Sequence, residues 1–115
     1  MEERTSRIPG FFKLTVEERN AIVASWADLS AEEQDVLARS GLPTNQANMM
    51  IENVVGTFGL PLGIACNFLV NGRDYLVPMA IEEPSVLAAV SNSAKVIREG
   101  GGFEAETSAP VMIGQ

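Results

Sequence analysis

Ile64-Ala65-Cys66-Asn67-Phe68-Leu69-Val70-Asn71-Gly72-Arg73-Asp74-Tyr75-Leu76-Val77 is the stretch on which the fold turns. Its first half is apolar, rich in β-branched and aromatic residues, and too short for a helix, so it reads as a strand. Asn71-Gly72 is the strongest short hairpin signal a sequence offers, because both central residues of a type I′ turn need positive φ. Arg73-Asp74-Tyr75-Leu76-Val77 then supplies the return strand, and the whole predicts an antiparallel hairpin. Cys66 lies inside the apolar strand and is expected to be buried and inert.

Working outward toward the C-terminus, Pro84 sits where a helix would begin, and Val86, Leu87, Val90, Ala94 and Ile97 recur at helical spacing. They predict a long helix from about Pro84 to Glu99, stopped by Gly100-Gly101-Gly102. The tail, Ala109-Pro110-Val111-Met112-Ile113-Gly114-Gln115, reads as a strand running to the last residue, as though the chain were cut before its partner structure.

Working toward the N-terminus, Gly56, Gly59, Pro61 and Gly63 break any helix, and three helices are expected upstream. Thr15-Val16-Glu17-Glu18 and Ser30-Ala31-Glu32-Glu33 both match the capping box, in which hydroxyl and carboxylate satisfy each other's orphan amides. The second helix should stop at Gly41, with Pro43 barring its continuation, and Thr44 offers a third cap. Ala47, Met50, Ile51, Val54 and Val55 then make one apolar helix face ending at Gly56, a stripe suited to a core or a subunit interface. The fold class is therefore α+β: three N-terminal helices, a hairpin, a long helix and a terminal strand, within a single incomplete domain spanning 1–115.

The chain has 115 residues, 46% of them apolar, with eight Lys/Arg against fifteen Asp/Glu and a formal charge of −7. That is enough for a globular core, and the charge argues against nucleic acid or an anionic membrane as partner. The absence of histidine excludes a Ser-His-Asp triad, a Cys-His pair and a His-ligated metal within these residues. A lone cysteine allows neither an internal disulfide nor a cysteine metal cluster, so no metal is expected and a reducing compartment is. Residues 1–10 lack the apolar core of a signal peptide, and no apolar run reaches the roughly 18 residues of a membrane span, which predicts a soluble, cytoplasmic protein.

Any chemistry must therefore run through carboxylates, lysines, hydroxyls or backbone groups. Glu82-Glu83-Pro84-Ser85 places two carboxylates at a strand-to-helix junction. Either they are helix N-terminal acids stabilised by the macrodipole, or one is held in a dry cleft where desolvation keeps a proton on it and makes it a general acid. Ser85 is likewise either a capping serine or, with the free amides of the first turn, a receiver for an anionic group. Glu52-Asn53 closes the third helix and reads as solvent-facing. Gly56, Gly59 and Gly63 match neither the dinucleotide nor the P-loop pattern, and Lys13 and Lys95 read as solvated.

Met50-Ile51-Glu52-Asn53-Val54-Val55-Gly56-Thr57-Phe58-Gly59-Leu60-Pro61-Leu62-Gly63, followed by Asn67-Phe68-Leu69-Val70-Asn71-Gly72-Arg73-Asp74-Tyr75-Leu76-Val77-Pro78-Met79-Ala80-Ile81-Glu82-Glu83-Pro84-Ser85, closely resembles class II 3-hydroxy-3-methylglutaryl-CoA (HMG-CoA) reductase. The resemblance runs from about Ser6-Arg7-Ile8-Pro9-Gly10-Phe11 to Ser108-Ala109-Pro110-Val111-Met112. It implies an oxidoreductase that interconverts HMG-CoA with mevalonate and CoA, through thiohemiacetal and aldehyde stages, using two NADH or NADPH. It also implies that Glu83 is the catalytic glutamate, that Ser85 contacts the HMG moiety, and that Glu52, Asn53 and Gly56 belong to an E-N-V-x-G motif at a subunit interface beside the active site. A homodimer with the active site between subunits follows from the same resemblance. Members of that family are several times longer; their catalytic lysine, aspartate and histidine and their nucleotide-binding domain would lie beyond Gln115. These residues alone are thus expected to bind no nicotinamide cofactor and to complete no turnover. The competing reading is a non-catalytic acyl-CoA-binding or dimerisation module derived from that family.

Overall fold

Both capping boxes form. In the structure, a computed structural model describing residues 4–39 and 41–114, Thr15 Oγ1 accepts from the Glu18 amide at 3.2 Å and Glu18 Oε2 accepts from the Thr15 amide at 2.8 Å. Ser30 and Glu33 repeat the exchange at the same distances. The first box opens α1 (Val16–Ala27), which ends on Asp28 in the left-handed region; the second opens α2 (Ala31–Arg39). A 3-10 turn over Phe11–Lys13 precedes them and α3 (Thr44–Met50) follows.

The third helix differs from its expectation at both ends. Thr44 is its first helical residue rather than its cap, since Pro43 takes the cap position with no side-chain hydrogen bond. It also stops at Met50 instead of running to Gly56: Ile51 is extended and Asn53 adopts φ 58°. Only Ala47 of the apolar stripe is buried. A seven-residue helix is marginal without packing, and β-branched Ile51, Val54 and Val55 add little propensity once their face is left open. These elements form one compact unit, Pro9–Pro61.

The second unit contains the segment ending at Ile8 and the chain from Leu62 onward. It is built on the hairpin of β1 (Leu62–Val70) and β2 (Arg73–Ala80). Asn71 and Gly72 have φ of 49° and 74°, the positive pair a type I′ turn requires, and Val70 pairs directly with Arg73. β2 continues past Val77 through Pro78, which is tolerated because β2 is an edge strand. The register slips by one residue between Ala65 and Phe68, a β-bulge in which Asn67 takes φ 71°. Both amides released from the ladder are satisfied: Cys66 N–H donates to Ser91 Oγ at 3.1 Å, and Asn67 N–H donates to the Ser6 carbonyl at 2.9 Å.

α4 (Val86–Glu99) lies across β1. The buried apolar residues of this unit, Ala65, Cys66 and Ala94, are all small, which brings helix and strand close together. The helix begins two residues later than expected. Pro84 is not its first residue; Ser85 is the N-cap, at φ 71°. Beyond Glu99 the glycine stop holds, and Phe103 forms a single parallel bridge with Val70 while its ring stacks on Phe68 at 5.5 Å. The expected terminal strand is absent among the described residues: 104–114 run irregularly, with Val111, Met112 and Ile113 exposed, because no neighbouring strand offers them a ladder. Gln115, part of that expectation, lies outside the described residues. No helix among the described residues is long and apolar enough to cross a membrane.

Candidate functional site

The junction between β2 and α4, Ile81 to Ser85, carries the carboxylates that the sequence singles out. Neither occupies the first turn of α4, which contains no acidic residue. The macrodipole falls off within that turn, so simple stabilisation by the helix end accounts poorly for them. Both Glu82 and Glu83 are exposed.

Ser85 departs from both readings of it. It sits at the N-cap, yet its side chain makes no capping hydrogen bond, and its backbone is left-handed at φ 71° and ψ −10°. A residue bearing a Cβ pays about 1–2 kcal/mol for that region, and asparagine or aspartate would be the ordinary choice if local hydrogen bonding were the only demand. Its carbonyl still accepts the Ala89 amide at 2.9 Å, so the helix starts properly while the exposed hydroxyl stays uncommitted to a cap. Strain held at a helix N-terminus, beside two carboxylates, is how binding sites are commonly marked.

The rest of α4 is anchored by groups far apart in sequence. Asn67 Nδ2 donates to the Ser91 carbonyl at 3.0 Å, alongside the bond from Cys66 N–H to Ser91 Oγ. At the far end Arg98 grips Asp74 on β2 with two parallel bonds, Nη1 to Oδ1 at 2.7 Å and Nη2 to Oδ2 at 3.2 Å. Ser6 is fully buried beneath this pair. Its amide donates to Asp74 Oδ1 at 2.6 Å, and its hydroxyl lies 2.7 Å from the same oxygen and 2.9 Å from the Phe68 carbonyl, its one proton serving either. Burial pushes the Asp74 carboxyl upward, but the hydrogen bonds from Arg98 and Ser6 and the Arg98 charge outweigh it and hold the group at about 2. Partners separated by 68 and 24 residues leave no spacing signal, so this network was not legible in the sequence.

The other singled-out residues behave more simply. Glu52, Asn53 and Gly56 are exposed in the bend after α3, within the Pro9–Pro61 unit. Cys66 is buried, and burial pushes its thiol up, away from the reactive thiolate. Among the described residues no three His, Cys, Asp or Glu side chains cluster as metal ligands would.

Comparison with known proteins agrees with this architecture. The family model for hydroxymethylglutaryl-coenzyme A reductase matches residues 15–115. The chain is 60% identical over 111 residues to 3-hydroxy-3-methylglutaryl-coenzyme A reductase of Archaeoglobus fulgidus, covering 96% of this chain and 26% of that protein. It is 36% identical over 107 residues to reductase 1 of Aspergillus fumigatus, covering 88% of this chain and 9% of that one. In structure it is similar to the class II 3-hydroxy-3-methylglutaryl-CoA reductase from Streptococcus pneumoniae bound to NADPH in open conformations, with a TM-score of 0.76 and 42% identity over 85% of this chain and 27% of that one. The chain thus spans about a quarter of the length of the Archaeoglobus and Streptococcus proteins. With the family model covering most of its residues and the fold shared with a class II enzyme, the chain belongs to the hydroxymethylglutaryl-coenzyme A reductase family.

Proposed function

We propose that these residues form the first part of the large, substrate-binding domain of a cytoplasmic reductase that interconverts HMG-CoA with mevalonate and CoA, consuming two NADH or NADPH in the reductive direction. Glu83 donates a proton to the substrate carbonyl oxygen or to the departing CoA thiolate. Ser85 hydrogen-bonds the HMG moiety. The observation that carries this reading is the strained, uncapped Ser85 two residues after Glu83 at the head of α4. A hydroxyl that neither caps its own helix nor relaxes its backbone is left available for a ligand.

The described residues do not fit a nicotinamide dinucleotide. Their sheet is a single antiparallel hairpin with no parallel crossover, and the α4 N-terminus is preceded by two carboxylates that repel a pyrophosphate.

Glu52, Asn53 and Gly56 are assigned to a homodimer interface. Support comes from the exposed apolar run around them, in which Met49, Met50, Ile51, Val55 and Phe58 are all largely open. The same run favours the alternative of a non-catalytic, acyl-CoA-binding or dimerising module, and activity separates the two. In the complete reductase carrying this sequence, Glu83→Gln keeps size and hydrogen bonding but removes the transferable proton. kcat should fall by roughly 10² to 10⁴ with KM changed far less, and Glu82→Gln should have the smaller effect. Near-normal turnover by the Glu83→Gln enzyme would overturn the assignment.

A further inference from the structure

Gly63 lies on β1 directly beneath the first turn of α4. A Cβ built there would overlap Leu87 Cδ1, with Leu87 Cγ at 3.5 Å and Cδ2 at 3.7 Å. Its φ is not in the left-handed region, so conformational freedom does not explain a glycine at this strand position. Glycine inside a strand gives up packing and costs backbone entropy, and the return here is the close seat it offers Leu87.

Leu87 is two residues after Ser85 and four after Glu83. We infer that Gly63 is a positioning residue, whose missing side chain lets Leu87 seat the head of α4 at the height that places Ser85 and Glu83; this rests on the functional reading of those two residues given above. The helix cannot relieve added bulk by sliding as a whole. Ser91 is tied to the bulge by bonds of 3.1 and 3.0 Å, and Arg98 is tied to Asp74 at 2.7 and 3.2 Å. A methyl group at position 63 meets only the end of the Leu87 side chain, so Leu87 turns first and the segment that carries Ser85 moves by what that rotation does not absorb. A displacement of about 1 Å in a positioning element is enough to cost on the order of 10²-fold in rate.

The test uses the complete reductase with Gly63→Ala, Leu87→Val and the two combined, beside Glu83→Gln and Ser85→Ala. Valine at 87 removes the Cδ atoms that a Cβ at 63 would meet and keeps atoms at the Cγ position, where contact is ordinary. Gly63→Ala should raise KM for HMG-CoA and lower kcat together, for a loss of roughly 10-fold in kcat/KM. The double variant should recover to within about threefold of the parent. A merely structural glycine would instead lower kcat in proportion to the folded fraction and leave KM alone.

If Gly63→Ala fails to fold, the double variant decides: parental KM and kcat support the inference, and impaired kinetics in a folded double overturn it. Unchanged kinetics in a folded Gly63→Ala enzyme overturn it as well. If Glu83→Gln and Ser85→Ala are themselves without effect, the site reading has failed and the inference falls with it. Effects there with a normal Gly63→Ala enzyme mean that the site stands and the seat does not.

Discussion

Replacing Asp74 by asparagine removes the charge that holds the N-terminal segment, β2 and the end of α4 together. The carboxyl sits at about 2 in the folded protein against an ordinary value of 3.8. At about 1.4 kcal/mol per pKa unit, that difference is worth about 2–3 kcal/mol of stability at neutral pH. Because the folded-state value is the depressed one, the contribution is fully present above about pH 4 and is lost as pH falls toward 2. Asparagine also leaves Arg98 without its anionic partner where its side chain is only 17% exposed. The melting midpoint of the complete reductase at pH 7 should fall by several degrees. Thermal melts of parent and variant from pH 7 to pH 2 check the reasoning twice: the gap should be wide at neutrality and should narrow below pH 4, as the parent loses what the variant never had. Equal midpoints at pH 7, or a gap that persists undiminished at pH 2, would refute the electrostatic account.

Other expectations are more local. Thr15→Ala removes one half of a formed capping box and should cost about 1 kcal/mol, read as a lower denaturant midpoint at unchanged slope. Gly72→Val places a β-branched residue at φ 74° in the hairpin turn, and should destabilise by about 1–2 kcal/mol or more in the same assay. Ser85→Gly relaxes the backbone at φ 71° and should stabilise by up to about 1 kcal/mol while raising KM for HMG-CoA in the complete reductase. A variant both less stable and normal in KM would speak against strain held there for binding.

Signals confined to a few adjacent residues were legible in the sequence. Thr15/Glu18, Ser30/Glu33 and Asn71-Gly72 each specify their own backbone geometry, and the structure reproduces all three. So does the apolar periodicity of the helix ending at Glu99, whose face needs only β1 to cover it. Glu83 and Ser85 could be singled out because a strand-to-helix junction is visible in the sequence, and the resemblance attached roles to them that composition never would have. What needed the tertiary structure depends on partners distant along the chain. The third helix stops at Met50 and the tail forms no strand, because an apolar stripe or a run of strand formers commits to an element only when something covers or pairs it. The bulge at Asn67 had a signal, a turn-tolerant polar residue inside an apolar strand, but its purpose appears only when Ser6 and Ser91 arrive to take the two freed amides. The Ser6-Asp74-Arg98 clamp and the seat of Leu87 on Gly63 have no local signature. Each is decided where chain segments tens of residues apart meet, and sequence spacing carries no information about that meeting.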